Sequence, residues 1–183
     1  NGSIDYQYGT NAGAEIKNQY LIQDQVQYSF NNNAKIDDYG YMKTSFQHNS
    51  FGAYSKQLFG MIGYGRDWIK TDKFQLTSQF APGVRQMKTL GANSLQTNNG
   101  AIQFSTLIVW NITKSISISE TVDYTLGKPT NYLKSTTQIT NTIMDNIALS
   151  LNYAYQNWAT IPAGQTAHTN TNTAISLVYN FSS

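Results

Sequence analysis

Apolar and polar residues alternate with a period of two along almost the whole chain. In the stretch 101–113, Ile102, Phe104, Ile108, Trp110 and Ile112 share one face with Thr106. Gln103, Ser105 and Asn111 share the other with Leu107 and Val109. Successive strand side chains point to opposite sides, so such a segment has one greasy face and one mixed face. The same pattern sets Tyr20, Ile22, Val26, Tyr28 and Phe30 against Gln23, Gln25, Gln27 and Ser29. It sets Phe74, Leu76, Phe80 and Val84 against Gln75, Thr77, Gln79 and Arg85. It returns in Ile116, Ile118, Val122, Tyr124 and Leu126, in Ile147, Leu149, Leu151, Tyr153 and Tyr155, and in Ile175, Leu177, Tyr179 and Phe181. The pattern predicts about ten strands, at 3–8, 16–30, 34–48, 52–66, 73–88, 100–112, 115–126, 131–144, 146–158 and 170–181. Several exceed the roughly 5–6 residues usual in soluble proteins. They suit a bilayer crossing, which takes about 9–11 residues or more at a tilt near 45°. Lys, Gly and Thr interrupt the apolar face of the third, fourth and eighth.

The connections alternate in length. Short turns fall at 31–33, 69–72, around Lys114 and around Asp145. Longer links fall at 9–15, 49–51, 89–99, 127–130 and 159–169. Outer-membrane barrels combine short periplasmic turns with longer outer loops. Aromatics gather near strand ends, at Trp68, Phe74, Trp110, Tyr132, Trp158, Tyr179 and Phe181, where an interfacial girdle is expected. The expected fold is all-β: one closed antiparallel up-and-down transmembrane β-barrel over residues 1–183, of about ten strands, with eight or twelve as alternatives. A soluble β-sandwich or lectin-like domain would alternate too. Against it, a solvated sheet face usually carries Lys and Glu, and here the polar face is neutral and amide-rich.

Composition narrows the picture. Charged residues make up 12 % of the chain, while it holds Tyr 13, Phe 8, Trp 3 and only Pro 3. Disordered chains show the opposite balance. Helical spacing of apolar residues is missing, which excludes a helical bundle. A net charge of +2 with no basic run leaves no footprint for nucleic acid. With Cys 0 there is no disulfide framework, thiol nucleophile or thiolate metal site. No apolar run reaches the roughly 18 residues of a transmembrane helix. A mean hydropathy of −0.42 does not exclude a barrel, whose strands are apolar on one face only. Asn1 opens no signal peptide, so an exported protein would stand here in mature form, with its signal peptide removed.

The segment 54–88, YSKQLFGMIGYGRDWIKTDKFQLTSQFAPGVRQMK, resembles the salt-induced outer membrane proteins, a bacterial barrel family (domain of unknown function 481). The likeness lies in GMIGYG at 60–65, a short turn, and a strand closing in APGVR at 81–85. SISISETVDY (115–124), ALSLNYAY (148–155) and TAISLVYNF (173–181) fit as well. The terminal Tyr179 and Phe181 are similar to the signal read by the barrel assembly machinery, though two serines follow. Family members carry an additional hairpin where this chain passes from Tyr8 to Ile16, so the strand number stays open. The resemblance implies an outer-membrane location and brings no established activity.

Candidate chemistry is sparse. His48 and His168 lie in or beside outer loops, with no convergent ligands, and read as solvated. A lipase built on His48 and Asp123 lacks a nucleophile elbow. Asp37 and Asp38 are strand neighbours and point to opposite faces, so they make no catalytic pair. Gly60, Gly63 and Gly65 precede no helix and relieve crowding rather than cradle phosphate. No catalytic, metal or cofactor site is expected, and the chain is not expected to be an enzyme. Glu120 falls on the apolar face between Ile118 and Val122, and Asp24 between Ile22 and Val26. Each marks either a partner-facing spot or a bulge or interfacial position.

The expected lumen face includes Gln25, Gln27, Gln75, Gln79, Arg85, Gln103, Asp123, Lys134, Gln138 and Asn152. About ten strands lined by long amides should leave a narrow or occluded lumen. The expected function is a non-enzymatic, structural or interaction component of the bacterial envelope. Its partners would be outer-membrane lipid, the assembly machinery and other proteins of an envelope complex. The alternatives are a narrow passive pore for ions or small solutes, and a soluble secreted domain that binds carbohydrate.

Overall fold

The computed structural model describes residues 2–11, 14–32, 36–49, 54–89, 95–144, 147–161 and 168–179. Ten strands follow one another: β1 (Gly2–Asn11), β2 (Ala14–Asn32), β3 (Asp37–Asn49), β4 (Tyr54–Lys70), β5 (Phe74–Thr89), β6 (Gln96–Asn111), β7 (Ile116–Gly127), β8 (Tyr132–Met144), β9 (Ile147–Trp158) and β10 (Thr169–Tyr179). Each pairs with the next in a single antiparallel sheet of order β1 to β10. Among the described residues the ladders run no further than β1 and β10. The sheet nevertheless curls round on itself. Leu21 and Gln23 of β2 and Asn172 and Ser176 of β10 line one interior chamber. Lys43 on β3 also reaches Gln103 on β6 at 3.5 Å. The fold is an up-and-down barrel.

Register explains why the sequence folds this way. Ladder partners share a face, so one inward residue fixes its whole row. Gln27, Tyr41 and Gly63 and, on the next two strands, Ala81 and Gln103 illustrate one such inward series. The outward rows are apolar and open: Val26 is 67 % exposed, Val84 66 %, Ile175 73 % and Leu177 70 %. Inside, the buried residues are mixed, with Tyr39, Tyr41, Met61 and Ala81 beside Gln57, Arg85, Gln103, Thr125 and Ser150. This is a core turned inside out relative to a soluble domain.

Three expectations need correcting. The first hairpin has no long link. Thr10 pairs with Glu15 and Asn11 with Ala14, past a bulge at Gly9/Thr10, because polar residues extend a hairpin ladder that the apolar pattern does not mark. Likewise β6 begins at Gln96, since Gln96, Asn98 and Asn99 pair with Lys88, Gln86 and Arg85, so the link after β5 is shorter than 89–99. Finally, Tyr132 and Trp158 belong to no outer girdle. They sit on the inward rows, 7 % and 4 % exposed, with ring centroids 5.3 Å apart. Trp68 and Trp110 do face outward.

Glycines shape one wall. An added Cβ at Gly63 would lie 2.7 Å from Tyr41 Cζ, and one at Gly65 would overlap the Tyr39 ring. The rings of Tyr39 and Tyr41, tilted 53° to one another, sit against this Gly-rich stretch in one cluster with Ala81 and Ala101. Gly127 closes β7 with φ of 156°, where a Cβ would meet the carbonyl of Gly100 at 2.8 Å.

Candidate functional site in the barrel lumen

The interior divides into a filled half and an open half. On the β3–β6 side, Tyr39, Tyr41, Met61, Ala81 and Ala101 form a buried cluster against Phe59. Against it, with Met61 and Phe59 as shared wall, lies a chamber of about 670 Å³ lined by side chains of β2, β3, β4, β6, β7, β8, β9 and β10. Its lining is mostly amide, hydroxyl and charge: Gln47, Lys43, Gln103, Asp123, Lys134, Asn152 and Gln156 are examples. A second cluster, Tyr54, Met87, Tyr132 and Trp158, packs against Ile161 at the end of the barrel that carries the 90–94 and 159–168 connections.

Arg85 ties that end together. It stands on β5, 1 % exposed, opposite Phe59 in the ladder. Its Nη2 donates to the carbonyls of Gly127 and Lys128, each at 3.1 Å, and to that of Thr130. The 128–131 connection is thereby tied to β5. Thr130 extends the tie, because its Oγ1 accepts from Thr160 N at 2.8 Å. Arg85 Nε and Nη1 have no hydrogen-bond partner among the described residues, and neither has Trp158 Nε1. Hydrogen bonds to charged groups are worth about 1.5–3 kcal/mol, so this latch holds the connection firmly.

The lumen amides and hydroxyls satisfy one another. Gln103 Nε2 donates to Thr125 Oγ1 at 3.3 Å, Gln138 Nε2 to Ser150 Oγ at 2.8 Å, and Ser105 Oγ to Asp123 at 2.5 Å. Gln79 Nε2 donates to Tyr39 Oη at 2.9 Å. Gln103, Asp123, Lys134 and Asn152 therefore come together around the chamber. Arg85, Gln79, Gln138 and Gln25 share the inward rows but lie outside its lining. Gln27 and Gln75 are inward by register yet exposed, Gln75 beside the start of β5. The hydrophobic pattern missed Lys43, because β3 turns its aromatics inward and its weaker row (Gly40, Met42, Thr44) outward. The inward Tyr39–Tyr41 pair was the available signal.

Elsewhere, Glu120 faces outward in regular ladders with β6 and β7's other neighbour β8, so the bulge reading fails. It accepts from Ser135 Oγ and Thr137 Oγ1, both at 2.5 Å. Asp24 also faces outward, opposite Thr44. His48 is not solvated as expected; its ring lies 5.1 Å from that of Tyr20. His168 Nδ1 contacts the carbonyl of Trp158 at 3.0 Å. At the opposite end, Lys70 lies 3.9 Å from Asp37 and 3.7 Å from Asp67, and Arg66 3.7 Å from Asp38. Tyr179 closes β10, and Phe181 lies outside the described residues.

The family model described as "Protein of unknown function, DUF481" matches residues 1–181, so the chain belongs to that family. No curated protein matches it. Among solved structures it is similar to the NanC porin, with a TM-score of 0.64 and 8 % identity over 98 % of this chain and 92 % of that one. The Pseudomonas putida toluene transporter TodX matches with a TM-score of 0.48 and 9 % identity, over 98 % of this chain and 68 % of that one. At 8 % identity the first likeness establishes the barrel fold alone.

Proposed function

We propose that this DUF481 protein is a non-enzymatic bacterial outer-membrane barrel whose polar interior is a narrow passage for small hydrophilic solutes. The chamber of about 670 Å³ carries this reading. A purely structural barrel of this size has no need of a polar cavity, since side chains fill small barrels. The outer face supports the membrane location. Its exposed rows include Ile22, Val26, Ile62, Val84, Ile102, Ile108, Leu149, Leu151, Ile175 and Leu177. So continuous an apolar belt is sustainable against hydrocarbon and a liability in water. Tyr179, at the end of the last strand, suits handling by the barrel assembly machinery, and the likeness to salt-induced envelope proteins fits the same address.

The mouth formed by Tyr54, Met87, Tyr132 and Trp158 and the connection held by Arg85 would make the passage narrow. Planar lipid bilayers test this directly. Small, steady unitary currents are expected from the refolded protein, whose closed barrel is checked by its shifted mobility on an unboiled gel. Absence of current from a folded, inserted barrel defeats the passage reading.

A second reading makes the protein a structural or interaction component of an envelope assembly. Glu120, Ser135 and Thr137 favour it, because they set a hydrogen-bonded polar patch on a face otherwise suited to lipid.

A further inference from the structure

The passage reading leaves the class of solute open, and the inference drawn here rests on that reading. Among the described residues, two lysines, Lys43 and Lys134, line the chamber with one carboxylate, Asp123. Asp123 is engaged by Ser105 at 2.5 Å. Lys43 reaches a neutral amide, Gln103 Oε1, at 3.5 Å. Lys134 stands directly opposite Asp123 in the ladder, yet the two form no ion pair among the described residues. Behind the chamber wall lies a third cation. The Arg85 guanidinium is 5.9 Å from the Phe59 ring, which lines the chamber. The hydrogen bonds of Arg85 go to carbonyls, and its Nε and Nη1 stay unpartnered among the described residues. Trp158 Nε1, at the same end of the lumen, is a further unpartnered donor. Among the described residues, positive charge thus exceeds negative charge around the open half. The carboxylates at the far end do not offset this locally, because Asp37 and Asp67 share Lys70.

We propose that the chamber admits and holds small hydrophilic anions, with Lys43 and Lys134 as the attracting charges and Arg85 as a fixed positive charge behind them. An enclosed chamber with a net charge of one sign focuses its potential, and raises the local concentration of counter-ions by about tenfold. Charge therefore sets which solutes enter, and the chamber's volume sets how large they are.

The chain has no cysteine, which makes a clean test possible. Ala154, on the chamber wall, is replaced in Ala154→Cys to give a single thiol. The folded barrel in zwitterionic detergent is then treated with two methanethiosulfonate reagents, one bearing a sulfonate and one a trimethylammonium group. Each rate is divided by that reagent's rate with a free thiol. The normalised ratio is expected to favour the sulfonate by about tenfold, and to fall towards one when Lys43→Gln and Lys134→Gln are added. Lys134→Gln alone serves if the pair fails to fold, and should give an intermediate ratio. A ratio of one or less in the parent, a ratio unmoved by the lysine changes, or no reaction with either reagent overturns the proposal. Reversal potentials across planar bilayers in a KCl gradient separate the two readings. Absence of current defeats the passage while the thiol rates still judge the anion preference, and a cation-selective current defeats the anion preference alone.

Discussion

Gly83→Ala and Gly65→Ala differ by a single methyl group each, and the barrel should answer them unequally. At Gly83 the new Cβ would meet the carbonyl oxygen of Gly60, Met61 Sδ at 2.5 Å and Met61 Cα at 2.8 Å. Two of these atoms are backbone of β4, which ladders to β3 and β5 hold on both sides. They cannot retreat, so the change should cost about 2–3 kcal/mol, towards the upper end for overpacking. At Gly65 every close atom belongs to the end of the Tyr39 side chain. The phenol can swing away and forfeit its hydrogen bond from Gln79, worth about 0.5–1.5 kcal/mol. Removing glycine from a strand returns about 0.5–1 kcal/mol, so the net cost should be about 1 kcal/mol or less. In a Tyr39→Leu background that cost should vanish, a coupling of about 1 kcal/mol between contacting residues. Urea titration of the barrel in phosphatidylcholine vesicles, followed by tryptophan fluorescence and by the unboiled gel band, measures all four variants. The reasoning is refuted if Gly83→Ala is no costlier than Gly65→Ala, or if Tyr39→Leu leaves the cost of Gly65→Ala unchanged.

Other perturbations reach the remaining parts of the molecule. Arg85→Met strips the donor from the carbonyls of Gly127, Lys128 and Thr130, and should cost about 2 kcal/mol and expose the 128–131 connection to proteinase K; unchanged digestion would count against the latch. Glu120→Gln keeps an acceptor for Ser135 or Thr137 and should shift stability by less than about 1 kcal/mol. Glu120→Lys should cost about 2–4 kcal/mol if that face lies in hydrocarbon, and equal urea midpoints for the two variants would place the face elsewhere. Single-tryptophan variants in dibrominated phosphatidylcholine should show strong quenching of Trp68 and Trp110, which are 52 % and 47 % exposed, and little of Trp158 at 4 %. Quenching of Trp158 on a par with the other two would contradict the inward placement of β9's even-numbered residues.

Strand number and order were legible because a period of two cannot be imitated by a helix and repeats in nearly every segment. Boundaries were legible only where apolar residues reach the end of a strand. The polar ends of β1, β2 and β6 extend the ladder through backbone pairing, to which side-chain hydrophobicity contributes nothing. The three strands with the most broken pattern turn out to be broken for cause. In β3 the inward row holds Tyr39, Tyr41 and Lys43; in β4 Gly63 and Gly65 make room for those tyrosines; in β8 Ser135 and Thr137 hydrogen-bond the outward Glu120. Each exception depends on a residue from a neighbouring strand, which a one-dimensional pattern cannot supply. The same holds for Tyr132 and Trp158, since a ring near a strand end belongs to a girdle or to a lumen plug according to register alone.

Strand count does not decide whether such a barrel is plugged or open; the distribution of side-chain volume around the lumen does. Gly63, Gly65, Gly83, Ala81 and Ala101 thin one wall, and Tyr39, Tyr41 and Met61 lie down into the space so created. With these bulky side chains taken up by one wall, they do not reach across the lumen, and the facing strands are left with a chamber of about 670 Å³. Had the same aromatics been opposed by Leu or Val, steric contact would have pushed them upright and across it. Gly63 and Gly65 thus act on the lumen through the tyrosines they accommodate. Filling positions 63 and 65 should therefore narrow the passage in step with the loss of stability, which ties the packing of this wall to whatever the chamber admits.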